Sequence, residues 1–105
     1  IETILAEKVE TILRRGELNT RPRDFYDVYI LTKTQDFNFL VFNEALKSTA
    51  AHRETSHIFN DTSKRISEIE NSETLKKRWN KYTKDYRYAE EIEYGHIIAA
   101  LRALI

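Results

Sequence analysis

The stretch Ile1-Glu2-Thr3-Ile4-Leu5-Ala6-Glu7-Lys8-Val9-Glu10-Thr11-Ile12-Leu13-Arg14-Arg15-Gly16 decides how the rest of the chain is read. Ile4, Leu5, Ile12 and Leu13 recur at helical spacing. Arg14 and Arg15 stand in the last turn, where cations oppose the negative end of the helix dipole, and Gly16 follows as a residue able to leave the helix. The pattern predicts a helix from about Glu2 to Arg15. On a wheel of about 100° per residue, Ile1, Ile4, Leu5 and Ile12 fall within an arc of roughly 100°. Lys8 falls in the middle of that arc, and Glu2, Glu7 and Glu10 fall outside it, as a solvated face. An ammonium centred on an apolar stripe loses hydration unless it snorkels or meets an anion.

Outward from this helix, a polar connection from Glu17 to Arg21 leads to Pro22, which suits the first position of a second helix, about Pro22 to Thr34. Phe25, Val28 and Leu31 mark its inner face. Asp24 shares that face, at i, i+4, i+7 with Val28 and Leu31, and Asp27 lies one turn before Leu31. Two helices joined by a short loop pack as an antiparallel hairpin, which brings Lys8 towards Asp24. Two readings follow. Lys8 and Asp24 form a buried ion pair that fixes the register of the hairpin. Alternatively both line a cleft, with Lys8 meeting phosphate oxygens and Asp24 orienting it or accepting a proton. Either predicts a loss of ~3–5 kcal/mol when one partner is removed and the other stays buried.

The remaining pattern is also helical. Asp36 or Asn38 caps a third helix running to about Glu54, with Phe39, Phe42, Leu46 and Ala50 inward. A fourth covers about Asp61 to Glu70. Ser72 opens a fifth, in which Leu75, Trp79, Tyr82 and Tyr86 keep helical spacing, and a sixth runs from about Tyr94 to the end. Two glycines and one proline in 105 residues are too few for the tight reversals of a β-sandwich or barrel. The expectation is an all-α fold of about six helices, in a single domain over residues 1–105. The chain opens on Ile1 inside a helical pattern and has no Met, so it reads as a piece of something longer.

Composition narrows the chemistry. Lys plus Arg and Asp plus Glu both number 17, and a net charge of zero gives no global attraction to nucleic acid or anionic membrane. The absence of Cys removes disulfides, thiolate nucleophiles and Cys-ligated metal, and no apolar run approaches the ~20 residues that span a bilayer. The setting expected is cytoplasmic. His52, His57 and His96 lack zinc-ligand spacing, no serine sits in a G-x-S-x-G setting, and Gly16 and Gly95 cannot make a Walker or Rossmann loop. Two basic features remain. Arg14, Arg15, Arg21 and Arg23 gather near Lys8 in sequence. Lys76, Lys77, Arg78, Lys81, Lys84 and Arg87 interleave with Trp79, Tyr82, Tyr86 and Tyr88, which can track an RNA backbone or be the solvated face of a helix whose aromatics form core.

Ala6-Glu7-Lys8, followed by Arg23-Asp24-Phe25-Tyr26-Asp27, resembles two consecutive motifs of the AbiEii/AbiGii family of nucleotidyltransferase-type toxins, in the family's order and near its spacing. The likeness extends through the helical tail with Trp79 and Tyr82. It implies the C-terminal half of a polymerase-β-like nucleotidyltransferase acting in abortive phage infection or a type IV toxin–antitoxin pair, transferring a nucleotide from an NTP with Mg²⁺, in some relatives to transfer RNA. On that likeness Lys8 contacts nucleotide phosphates and Asp24 completes the active site. Asp27, Glu7 and Arg23 support them, and Lys8, Arg15 and Arg21 bind nucleotide or RNA. The family's Gly-rich strand–turn and Asp-x-Asp/Glu metal pair are missing from this chain, so the metal ligands are expected upstream, in an N-terminal half, and this piece alone should be inactive. The competing reading is a non-catalytic helical module meeting an antitoxin through Tyr26, Tyr29 and the third helix. A Gly-rich turn and acidic pair upstream of Ile1 would separate the two.

Overall fold

Six α-helices and three single 3₁₀ turns make up the computed structural model, which describes residues 1–105. The helices are α1 Glu2–Arg15, α2 Pro22–Thr34, α3 Phe39–His52, α4 Thr62–Glu70, α5 Glu73–Asp85 and α6 Tyr94–Leu104. There is no strand. The all-α class and the bounds of the first two helices are as the sequence predicts. Gly16 turns out of α1 at φ 51°, a left-handed value that other residues rarely adopt, and its N–H donates to the Ile12 carbonyl. Pro22 starts α2. Asn38, rather than Asp36, caps α3, its Oδ1 accepting from the Val41 N–H at 3.0 Å. Ser72 Oγ caps α5 through the Leu75 N–H at 3.1 Å. An unexpected 3₁₀ turn, Ser56–Asn60, carries the buried Ile58 between α3 and α4.

α1 is the central element, packed against both α3 and α2, and α2 packs in turn against α6. Twenty-one buried apolar residues form one continuous cluster that draws on all six helices. Trp79 anchors its far end by donating its indole N–H to the Ile92 carbonyl at 2.8 Å. Tyr94 donates to the Ile69 carbonyl at 2.6 Å, tying α6 to α4. Two aromatics expected inside are outside: Phe39 at the start of α3 and Tyr86, the residue that ends α5, are 46% and 47% exposed. No helix is long and apolar enough to cross a membrane.

The orientation of α1 corrects the wheel drawn from its isoleucines. Leu5, Ala6, Val9, Ile12 and Leu13 are buried, whereas Ile1 and Ile4 are 37% and 53% exposed. Ala6, Val9 and Leu13 share the buried face and turn its centre away from Ile1 and Ile4. With those residues included, Lys8 and Glu10 flank the stripe, each about 100° from its centre on opposite sides. Lys8 therefore sits at the edge of the stripe and not in its middle. Glu10, expected in solvent, is fully buried. Its carboxylate accepts from Arg14 Nε at 2.8 Å, from Arg53 Nη1 at the end of α3, and from Thr55 Oγ1 at 3.0 Å. Burial raises the pKa of such a group, but the hydrogen bonds from Arg14, Arg53 and Thr55 outweigh it and hold the Glu10 carboxyl below the ordinary range.

A depressed carboxyl pKa means that Glu10 stabilises the fold fully above its unfolded pKa, and that this contribution is lost as pH falls towards and through the folded value. Glu10→Gln should cost about 3 kcal/mol in urea denaturation, the low end for breaking a buried pair, because the Arg14 and Arg53 side chains keep 33% and 39% of their exposure. The variant should also lose part of the wild-type decline in stability below about pH 4.5. A cost under about 1 kcal/mol would mean that the buried carboxylate is not what fixes α3 to α1.

A lysine–carboxylate centre between α1 and α2 and an adjoining basic, aromatic groove

The edge of α1 opposite Glu10 meets the first two turns of α2. Lys8 Nζ lies 2.9 Å from Asp27 Oδ2 and 3.9 Å from Asp24 Oδ1. Asp27 receives a second cation, Arg23 Nε, 3.8 Å from its Oδ1. Lys8 and Asp24 are thus brought together as the hairpin argument requires, but the shorter pair is Lys8–Asp27. The register of α2 explains this: Asp24 is buried, and Asp27, three residues on, lies nearer the surface beside the partly exposed Lys8. Side-chain exposure follows the same order, 26% for Lys8, 19% for Asp27 and 6% for Asp24.

Asp24 is the anomalous member. It is buried, its Oδ2 has no hydrogen-bond partner, and its nearest cation is at the outer limit of an ion pair. Its place in the first turn of α2 offers partial compensation from the helix dipole. A buried carboxylate with an unsatisfied oxygen costs stability, and such groups gather at functional sites. The stability expectation for Lys8 changes accordingly. Lys8 retains solvent, and its removal leaves Asp27 beside Arg23, so a loss of ~3–5 kcal/mol is too large.

The other predicted residues divide. Glu7 is exposed on the α3 side, beside Ser48, His52 and Arg53, and does not reach the Lys8 centre. Arg14 is held by Glu10, and Arg15 lines a separate depression with Arg65 and Asn71. Arg21 and Arg23 instead line a groove of about 500 Å³ next to Asp27, shared with Arg78, Lys81, Tyr86 and Tyr88. Of the basic run on α5, only Arg78 and Lys81 enter this groove. Its aromatics also divide: Trp79 and Tyr82 belong to the core, and Tyr86 and Tyr88 are about half exposed. The Tyr82 hydroxyl meets that of Tyr88 at 2.5 Å, and Tyr26 packs edge-on against the Tyr88 ring at 4.8 Å. Burial and then the Tyr88 contact raise the Tyr82 phenol pKa, and the charges of Arg23 and Asp27 also act on it, which shows how closely groove and cationic centre adjoin. Sequence spacing put Tyr86 with the core because it follows Tyr82 by one helical turn. No local signal in the sequence marks the end of α5 before Tyr86, since residues 76–88 contain no aliphatic residue on either side of that boundary.

No group of three or more His, Asp or Glu converges anywhere to hold a metal ion. At the centre itself, two carboxylates share an ammonium at 2.9 and 3.9 Å, so the donors of this chain do not by themselves fit Mg²⁺.

The all-α unit thus presents a lysine on two α2 carboxylates beside a basic groove. A family model described as nucleotidyl transferase AbiEii toxin, Type IV TA system, matches residues 1–102. The chain belongs to that family. No curated protein and no solved structure matches it.

The two buried carboxylates should respond oppositely to neutralisation. Asp24→Asn keeps the shape and removes a poorly paired buried charge, so it should be neutral or stabilising by up to about 1 kcal/mol in urea denaturation. A destabilisation equal to that of Glu10→Gln would show that Asp24 is a structural anchor.

Proposed function

We propose that this chain is the helical C-terminal half of a nucleotidyltransferase toxin, acting in the cytoplasm in phage defence, and that Lys8 is its contact to the phosphates of an NTP. The observation that carries the reading is Lys8 itself. It is a lysine one-quarter exposed, held at 2.9 Å by Asp27 at the edge of the core, in a chain whose family is described as a nucleotidyl transferase toxin. Asp27 and Asp24 hold the ammonium in place before substrate arrives. A phosphate oxygen then replaces Asp27 as the partner of Nζ. Lys8 supplies a positive charge where negative charge develops on the transferring group, and the buried Asp24 carboxylate behind it helps to orient the ammonium. Mg²⁺ bound by carboxylates of the N-terminal half would activate the attacking oxygen and stabilise the leaving group. The acceptor is RNA, transfer RNA among the candidates, and a cognate antitoxin restrains the activity.

A second reading rests on α3. Phe39, Leu40 and Val41 are 46%, 73% and 46% exposed, which suits a helical module docking an antitoxin without chemistry of its own.

The decisive experiment supplies the intact parent protein with each labelled NTP, Mg²⁺ and total cellular RNA. Wild type should label RNA with at least one nucleotide. Lys8→Ala should lower transfer at least a hundredfold, in keeping with losing a preorganised charge, while keeping the circular dichroism and melting profile of a folded protein. Transfer unchanged in a folded Lys8→Ala protein contradicts the assignment. No transfer with any nucleotide by the folded wild type favours the antitoxin-docking module.

A further inference from the structure

We propose that the groove between the start of α2 and the end of α5 binds a single-stranded polynucleotide, with phosphates on Arg21, Arg23 and Arg78 and bases stacked on Tyr86 and Tyr88. The inference rests on the transfer reading for its purpose, since the strand it holds would be the acceptor, but its evidence is separate. The chain as a whole is neutral, yet four cations and a single acid, Asp85, line this groove. Asp85 is already taken by Lys81, whose Nζ lies 2.7 Å from its Oδ2. That leaves three guanidinium groups facing one concavity.

Each guanidinium is available in a different way. Arg21 has no carboxylate partner and is exposed. Arg23 has a side chain 74% exposed and only a 3.8 Å approach to Asp27. Arg78 is braced by the carbonyls of Glu17 and Asn19, each at 3.0 Å, which fix its place without neutralising its charge. The aromatic wall is equally specific. Tyr86 and Tyr88 are 47% and 52% exposed, with ring centroids 5.5 Å apart and planes tilted by 40°. Tyr82 and Tyr26 pack behind them, so the two rings are held from the core side and present their outer surfaces to solvent. Half-exposed aromatic rings beside guanidinium groups match what unpaired bases and their phosphates require, and a duplex, whose bases are stacked inward, cannot use them.

The test measures binding by the intact protein of fluorescein-labelled ten-residue oligouridylate, oligothymidylate and a duplex of equal length, without NTP. The single strands should bind, and the duplex should bind at least tenfold more weakly. Tyr88→Ala and Tyr86→Ala should each weaken strand binding by roughly five- to hundredfold, the range for one base–aromatic stack. Tyr88→Phe keeps the ring and should bind nearly as wild type, which separates stacking from any damage caused by losing the Tyr82 contact. Arg21→Ala touches no packed residue and should reduce the slope of log K against log salt by about 0.7, one phosphate on a single strand. Preference for oligouridylate over oligothymidylate assigns the strand to RNA, and the reverse assigns it to DNA. Equal affinity of the tyrosine and arginine variants for the strands overturns the proposal, as does competition for the groove by NTP alone. Binding is read without NTP and does not depend on transfer. Strand binding through this groove in a protein that transfers nothing would therefore remove the enzymatic reading and leave the groove, whereas active transfer with strand binding insensitive to these residues would do the opposite.

Discussion

The burial of the Glu10 carboxylate constrains everything around it. A fully buried anion on the central helix must be met by donors, and Arg14, one turn on, supplies only part of what is needed. The rest comes from Arg53 and Thr55, so the end of α3 is pinned to the middle of α1. The Glu2 carboxylate does the same at the other end, accepting from the Asn38 N–H at 2.7 Å where α3 begins. With α3 fixed along one side, the buried stripe of Leu5, Val9 and Ile12 has a single orientation. Lys8, on the opposite edge, is then delivered to α2.

This arrangement separates two kinds of charged contact on one helix. The Glu10 cluster is saturated: both oxygens are used, the group is dry, and hydrogen bonds override the cost of burial. The Lys8 cluster is deliberately incomplete by comparison. Lys8 keeps solvent, Asp27 is shared with Arg23, and Asp24 has an oxygen with nothing to bind. A saturated network favours rigidity, and an unsaturated one can accept a new partner without first breaking the fold. That contrast supports placing ligand chemistry at Lys8 and architecture at Glu10, although both are charged residues of the same helix two positions apart.

How far the sequence alone carries this picture depends on where each partner lies. Signals within one turn were legible: Gly16 and Pro22 punctuate the first hairpin, Ser72 announces its helix, and the cap of α3 was narrowed to Asp36 or Asn38, because caps act over three residues. The short loop made the meeting of α1 and α2 legible too. Glu10 was not, since Arg53 and Thr55 lie more than forty residues on and no local pattern distinguishes a solvated glutamate from one with distant donors. The choice between Asp24 and Asp27 as the nearer partner of Lys8 turned on a rotation of α2 smaller than periodicity resolves. The groove needed tertiary structure outright, because Arg21 and Tyr88 are far apart in sequence and belong to two basic clusters that the sequence gives no reason to join. Family membership, in contrast, is shown by a match over residues 1–102, and a resemblance was already visible in the motifs around Lys8 and Asp24.

The central claim, that Lys8 is poised on Asp27 to receive phosphate, is tested most directly by a crystal structure of the protein bound to a non-hydrolysable NTP analogue. The account predicts that Lys8 Nζ moves from Asp27 to within hydrogen-bond distance of a phosphate oxygen, while the Glu10 cluster is unchanged. A bound nucleotide with Lys8 still on Asp27 and no phosphate near it would contradict the account and return the pair to the status of a hairpin register.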